Sequence, residues 1–178
     1  LNTNTYSIIQ KNYTLELLDL ENKKLLESKW FMEFGKFAAE IFDTDENLIY
    51  TITKKFKFWK WKMTYKIENS VSEIVVLESQ NPQNTIFKAD IENDIFEIKI
   101  NYQQKKSVFK NGKKIAEIDQ SFPEENFEKR IQLLVLEEEK PTIVFLLFAA
   151  LLIGDTNQKS LLKSQKTLIP NEDNWLRE

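Results

Sequence analysis

Nine consecutive residues, Lys54-Lys55-Phe56-Lys57-Phe58-Trp59-Lys60-Trp61-Lys62, hold five lysines and four aromatic rings with no acidic side chain among them. Cations interleaved with rings support two kinds of recognition. Ammonium groups attract anionic lipid headgroups at about 1 kcal/mol each near a surface, while tryptophan settles at the membrane-water boundary. The same side chains can also stack on bases and neutralise phosphates. A plainer reading makes the stretch part of a wall. As one continuous strand it is out of phase, because Phe56 and Phe58 share a face with Lys60 and Lys62, and Trp59 and Trp61 share one with Lys55 and Lys57. The phase must therefore switch between Phe58 and Lys60. A turn or bulge there lets Phe56, Phe58 and Trp61 enter the core while the lysines stay in water. The binding reading instead leaves Trp59 and Trp61 exposed, with Lys54, Lys55, Lys57, Lys60 and Lys62 as the anion-binding groups.

Acidic clusters are the second source of chemistry. Asp43-Thr44-Asp45-Glu46-Asn47 opens with the alternating oxygen ligands of an EF-hand loop. The rest of that loop is missing: Leu48 stands where glycine is needed and Lys54 where the bidentate glutamate belongs, so the segment reads as a hairpin turn. Glu124, Glu125 and Glu128, like Glu137, Glu138 and Glu139, are candidates for paired acid and base catalysis. Acids grouped on loops are more commonly solvated.

The chain has no histidine and no cysteine. That removes disulfides, thiolate nucleophiles, Cys/His zinc sites, Ser-His-Asp triads and imidazole proton shuttles together. No catalytic residue, metal or cofactor is implied. A net charge of -3 argues against general affinity for nucleic acid or anionic membrane, so any anion recognition must be local. At 178 residues, 42% hydrophobic and 30% charged, the chain suits one folded domain.

The elements that must position these groups are short. From Tyr6 to about Glu139 the sequence alternates Ile/Val/Phe/Tyr/Thr-rich segments with Asp, Asn, Gly and Glu clusters, which predicts about twelve antiparallel strands in hairpins. Turns are expected at Asp19 to Asn22, Asp43 to Asn47, Glu68 to Ser70, Glu92 to Asp94 and Asn111-Gly112. Phe96, Ile98 and Ile100 alternate with charged residues, as do Tyr50 with Ile52 and Met63 with Tyr65 and Ile67, so each strand buries one face. Tyr13 to Trp30 reads as a hairpin, although its leucines also fit an amphipathic helix. Another strand is expected over Ser72 to Ser79.

After Pro141 the pattern changes to a wholly apolar run, with a helix expected over about 142 to 154. A helix with no polar face needs apolar surroundings on every side. About a dozen residues span ~18 Å, well short of the ~30 Å of a bilayer core, so the surroundings must be protein. The expected fold is mainly β: a roughly twelve-stranded antiparallel β-barrel enclosing a C-terminal apolar α-helix. Residues 1–157 form the domain and 158–178 a polar tail, which Trp175 pins to the barrel or to a partner.

The order of many hairpins, one apolar helix and a closing acid, Leu151-Leu152-Ile153-Gly154-Asp155, resembles the tubby C-terminal-like superfamily. The stretches from Ala39 to Asp43, Leu48 to Lys55 and Asn111 to Ile118 fit it too. Members include the LURP-one-related proteins and the phospholipid scramblases. The resemblance implies a barrel threaded by its C-terminal helix, used for lipid-headgroup binding, proposed lipid movement and roles not assigned. Asp119 to Glu128 stands where scramblases carry a calcium segment and keeps Phe122-Pro123, but its acids do not match, and no calcium site carries over.

The expected function is a non-enzymatic binding or scaffolding module. Its partners are anionic phospholipid at a membrane surface or a protein, not nucleic acid, and it has no transmembrane span. Its expected location is the cytoplasm, or peripheral at a membrane, since residues 1–10 show neither a basic nor an apolar leader pattern. The alternatives are a structural or protein-interaction domain, which burial of Trp59 and Trp61 would favour, and a carboxylate-based enzyme.

Overall fold

A computed structural model describes residues 2–101, 105–125, 128–153 and Trp175. Thirteen strand segments precede one helix: β1 (Thr3–Lys11), β2 (Thr14–Leu18), β3 (Lys24–Glu33), β4 (Lys36–Phe42), β5 (Leu48–Lys57), β6 (Lys62–Asn69), β7 (Ile74–Ser79), β8 (Ile86–Ile91), β9 (Asp94–Ile100), β10 (Lys105–Lys110), β11 (Lys113–Asp119), β12 (Glu124–Glu125), β13 (Glu128–Leu136) and α1 (Pro141–Leu152). Each strand from β1 to β10 pairs antiparallel with the next, and β13 pairs with β11 on one side and β1 on the other. β12 is a two-residue hairpin arm on β13. The result is a closed barrel of twelve staves, as the hairpin spacing predicts, with the sheet edges abolished by closure.

Alternation sorts the side chains. Ile8, Leu17, Ile41, Ile52, Ile67, Leu77, Ile98 and Ile118 are buried, while the other face of the wall carries ion pairs such as Glu27 with Lys24 and Lys29, and Glu97 with Lys88 and Lys99. α1 fills the interior. Val144 to Leu152 are all buried, Phe145 and Phe148 completely. Each large side chain of this kind contributes about 1.5–3 kcal/mol on leaving water, which explains how a helix without a polar face is stable here. Pro141 occupies the first helical turn, where a missing N–H costs nothing. Among the described residues no helix is long and apolar enough to cross a membrane. Lys106 is a polar exception near the helix: it is buried, lies 5.5 Å from the Phe148 ring centre and donates to the Gln120 side chain.

Tyr13 to Trp30 is a hairpin, as the sequence reading expects. One boundary differs from that reading. The expected start of a strand at Ser72 is a turn instead, because Ser72 takes φ +64 and β7 begins only at Ile74. That turn repeats a device used three times. Asp19 Oδ1 accepts from the backbone N–H groups of Glu21 and Lys23, Asp43 Oδ1 from Asp45 and Asn47, and Asn69 Oδ1 from Val71 and Glu73. In each case the fourth residue, Asn22, Glu46 or Ser72, adopts a left-handed conformation. Asx side chains mimic a backbone turn in this way. Asn111 (φ +50) and Gly112 (φ +82) make the two-residue turn expected of that dipeptide.

In a closed up-and-down barrel, alternate hairpins lie at alternate ends. The three Asx turns therefore share one end with the Glu92-Asn93 and Asn111-Gly112 turns. The β1–β2, β3–β4 and β5–β6 tips share the other. α1 follows β13 from the Asx-turn end and finishes at the opposite end, beside β5.

The predicted tail, residues 158–178, lies outside the described residues apart from Trp175. Trp175 packs against the core cluster, its backbone N–H donates to Glu117 Oε2 at 3.1 Å, and Lys114 Nζ stands 4.9 Å from its ring centre. It meets a charged patch buried on the outer wall of β10 and β11, where Lys114 pairs with Glu117 and Lys105 lies 3.9 Å from Asp119.

Candidate functional site

The β5–β6 hairpin carries the basic aromatic stretch. Its ladder pairs Ile52 with Ile67 deep in the barrel and continues to Phe56–Met63 and Lys57–Lys62 at the tip. Beyond it, Phe58 to Lys60 form one turn of 3₁₀-helix, and Trp61 closes the turn in a left-handed conformation (φ +49) with its N–H on the Phe58 carbonyl. The phase switch demanded by the sequence is there. Its expected consequence is not, since none of the four rings enters the core: Phe56 is 47% exposed, Phe58 63%, Trp59 95% and Trp61 63%. The reason is height. The tip extends past the fully buried inward-facing layer of Tyr65 and Ile67, and at the next level Met63 alone packs against the core while its ladder partner Phe56 stays half exposed.

The rings pack on one another instead. Phe58 and Trp61 lie 5.5 Å apart between centres, Phe56 and Trp61 6.2 Å, Phe56 and Phe58 6.4 Å, and Phe58 and Trp59 6.3 Å. These separations and mostly edge-to-face angles hold an aromatic knob together in water. Trp59 stands furthest out.

The lysines divide into two groups. Lys55, Lys57 and Lys60 are exposed and Lys62 is half-buried. Lys57 faces Lys62 across the ladder, a like-charge pairing relieved by Glu78, whose Oε1 accepts from Lys57 Nζ at 2.8 Å. That hydrogen bond holds the Glu78 carboxyl below its usual range, helped by the charges of Lys57, Lys62 and Lys60. Lys54 points elsewhere. Its Nζ donates at 2.6 Å to the carbonyl of Ile153 at the end of α1, and lies 5.9 Å and 6.0 Å from the Phe37 and Tyr65 ring centres. It caps the buried helix and belongs to the inward side of the strand.

The acidic candidates do not converge. Asp43 to Asn47 is the hairpin turn described above. Asp43 is occupied by the Asn47 side chain and by two backbone N–H groups, and these bonds keep its carboxyl below the usual range. Glu128 pairs with Lys11 at 2.7 Å, Glu138 with Lys113 at 3.0 Å and Glu139 with Lys110 at 3.3 Å. The 124–128 and 137–139 sets sit at opposite ends of the barrel. Among the described residues no group of three or more acidic side chains is placed to hold a metal ion.

No spacing rule singles out Phe34, yet it is 95% exposed on the β3–β4 tip, next to the β5–β6 tip. Its signal in the sequence is the Phe-Gly dipeptide between Glu33 and Lys36, where Asn-Gly is the usual choice for such a turn. At the same end Tyr13 stacks edge-on against Trp30 with ring centres 4.6 Å apart.

Comparison with known proteins agrees with this architecture. The sequence matches the family described as Tubby C-terminal like domain over residues 2–154. No curated protein matches it. A crystal structure of a protein from Arabidopsis thaliana is similar, with a TM-score of 0.55 and 11% sequence identity, over 84% of this chain and 90% of that one. A likeness at that identity concerns the fold alone. The family match runs from the first strand through the enclosed helix and spans most of the chain, and the protein belongs to the Tubby C-terminal like domain family.

Proposed function

We propose that the protein is a non-enzymatic binding module that engages an anionic lipid surface through the β5–β6 tip. The observation that carries this reading is Trp59, 95% exposed at the apex of a turn flanked by Lys55, Lys57, Lys60 and Lys62. A soluble turn gains nothing by holding indole in water, whereas at a membrane interface the ring leaves bulk water and the ammonium groups meet phosphates. The closed barrel filled by α1 directs binding to the exterior. Lys54 has no part in this surface, because it is engaged with Ile153.

Cosedimentation with vesicles of neutral phosphatidylcholine, and with vesicles containing phosphatidylserine, tests the proposal. Salt-sensitive binding to the anionic vesicles alone is expected, lost when Lys55, Lys57, Lys60 and Lys62 are all changed to Gln. Absence of binding to either vesicle refutes the proposal.

A further inference from the structure

We infer that the barrel meets the lipid surface end-on through two adjacent tips, with Phe34 on the β3–β4 hairpin as a second wedge beside Trp59. This rests on the reading that the β5–β6 tip binds anionic lipid, and it adds the orientation of the molecule and a residue outside the basic stretch.

The backbone supplies the first argument. Ten non-glycine residues among those described adopt positive φ. Eight are Asn, Glu or Ser, the expected kinds for polar turns. The two aromatic ones are Phe34 (φ +48) and Trp61 (φ +49), and both sit on tips at the same end of the barrel. A bulky ring in that conformation is strained, and Asn or Gly would relieve it. Phe34 combines this strain with 95% exposure, so it serves neither turn stability nor the core. Strain kept at an exposed position marks a site where another requirement wins.

Register supplies the second argument. β4 pairs with β5 through Ala38–Thr53, and continuing that register sets Phe34 level with Lys57, at the foot of the aromatic turn. Met32, 65% exposed, and Lys36 flank Phe34 on its own hairpin, so the pattern of apolar apex and adjoining cation occurs on both tips. The opposite end exposes Leu20 (73%) and Val71 (72%) but no aromatic ring at its three Asx turns, whose backbones are held by side-chain carboxylate and amide oxygens. A lipid interface accepts rings at the apex and cations at the headgroup level, which is the layering these two tips present.

Phe34→Asn isolates the point, because asparagine suits the left-handed backbone and leaves the lysines untouched. The variant is expected to keep or raise the melting temperature while its affinity for phosphatidylserine vesicles falls on the order of tenfold, the loss associated with one large apolar side chain. Wild-type affinity in Phe34→Asn, alongside loss of binding in Trp59→Ser, overturns the two-tip orientation and leaves single-tip binding in place. Failure of the unmodified protein to bind the vesicles overturns both readings together.

Discussion

Lys54 Nζ donates to the carbonyl oxygen of Ile153 at 2.6 Å, joining the mouth of the barrel wall to the C-cap residue of the buried helix. A helix end leaves carbonyls without intrahelical partners, and a cation placed there also opposes the negative end of the helix dipole. The contact takes one lysine from the basic stretch and makes it part of the fold.

Replacement of Lys54 with Met is accordingly expected to destabilise the protein by about 1–3 kcal/mol, the cost of losing a charged hydrogen bond and leaving its partner unmet. Lys55→Met should change stability by less than about 0.5 kcal/mol, as expected of an exposed site. Urea denaturation of both variants checks this. Equal stabilities would show that the Lys54 contact is dispensable.

Large aromatic residues should divide sharply by position. Phe145→Ala empties a fully buried site inside the barrel and should cost about 3–5 kcal/mol. Trp59→Ser, at 95% exposure, should leave the urea midpoint within the range of an ordinary surface change, about 0.5 kcal/mol. A large loss in Trp59→Ser would mean that the aromatic knob holds the barrel together.

Trp175 offers a test of how the C-terminal part of the chain is held. Its ring lies 4.9 Å from Lys114 Nζ, a separation at which cation–π attraction contributes about 0.5–2 kcal/mol. A double-mutant cycle of Trp175→Leu and Lys114→Met should give a coupling energy of that size. Additive effects would leave Trp175 as a passive cover.

Acid stability should depend on Glu97. Burial pushes its carboxyl up, but the hydrogen bonds and charges of Lys99 and Lys88 outweigh this and hold it below the usual range. With the folded pKa below the unfolded one, the stabilisation is complete above the ordinary carboxylate value of about 4.3 and is lost as pH falls through the lowered folded value. Glu97→Gln should therefore show a smaller drop in melting temperature between pH 6 and pH 3 than the unmodified protein. An unchanged drop would place the acid sensitivity at other carboxylates.

Much of the fold was legible in the sequence because period and length are local properties. Two-residue alternation in segments such as Ile95 to Ile100 identified the buried face of each strand, and Asn111-Gly112 and Asp43 marked their turns. The run after Pro141, apolar on all sides and too short for a bilayer, determined that a helix is enclosed by protein, and a closed set of staves is the arrangement that encloses it. The phase conflict in Lys54 to Lys62 likewise required a turn near Phe58 to Lys60. Only the tertiary structure decided how far that turn stands above the interior. Exposure depends on which strands reach the same height, and register between distant segments is not written in either one alone. The same reason separates Lys54, turned in to Ile153, from Lys55 beside it, and sets the β3–β4 tip that carries Phe34 at the same end of the barrel as the tip that carries Trp59.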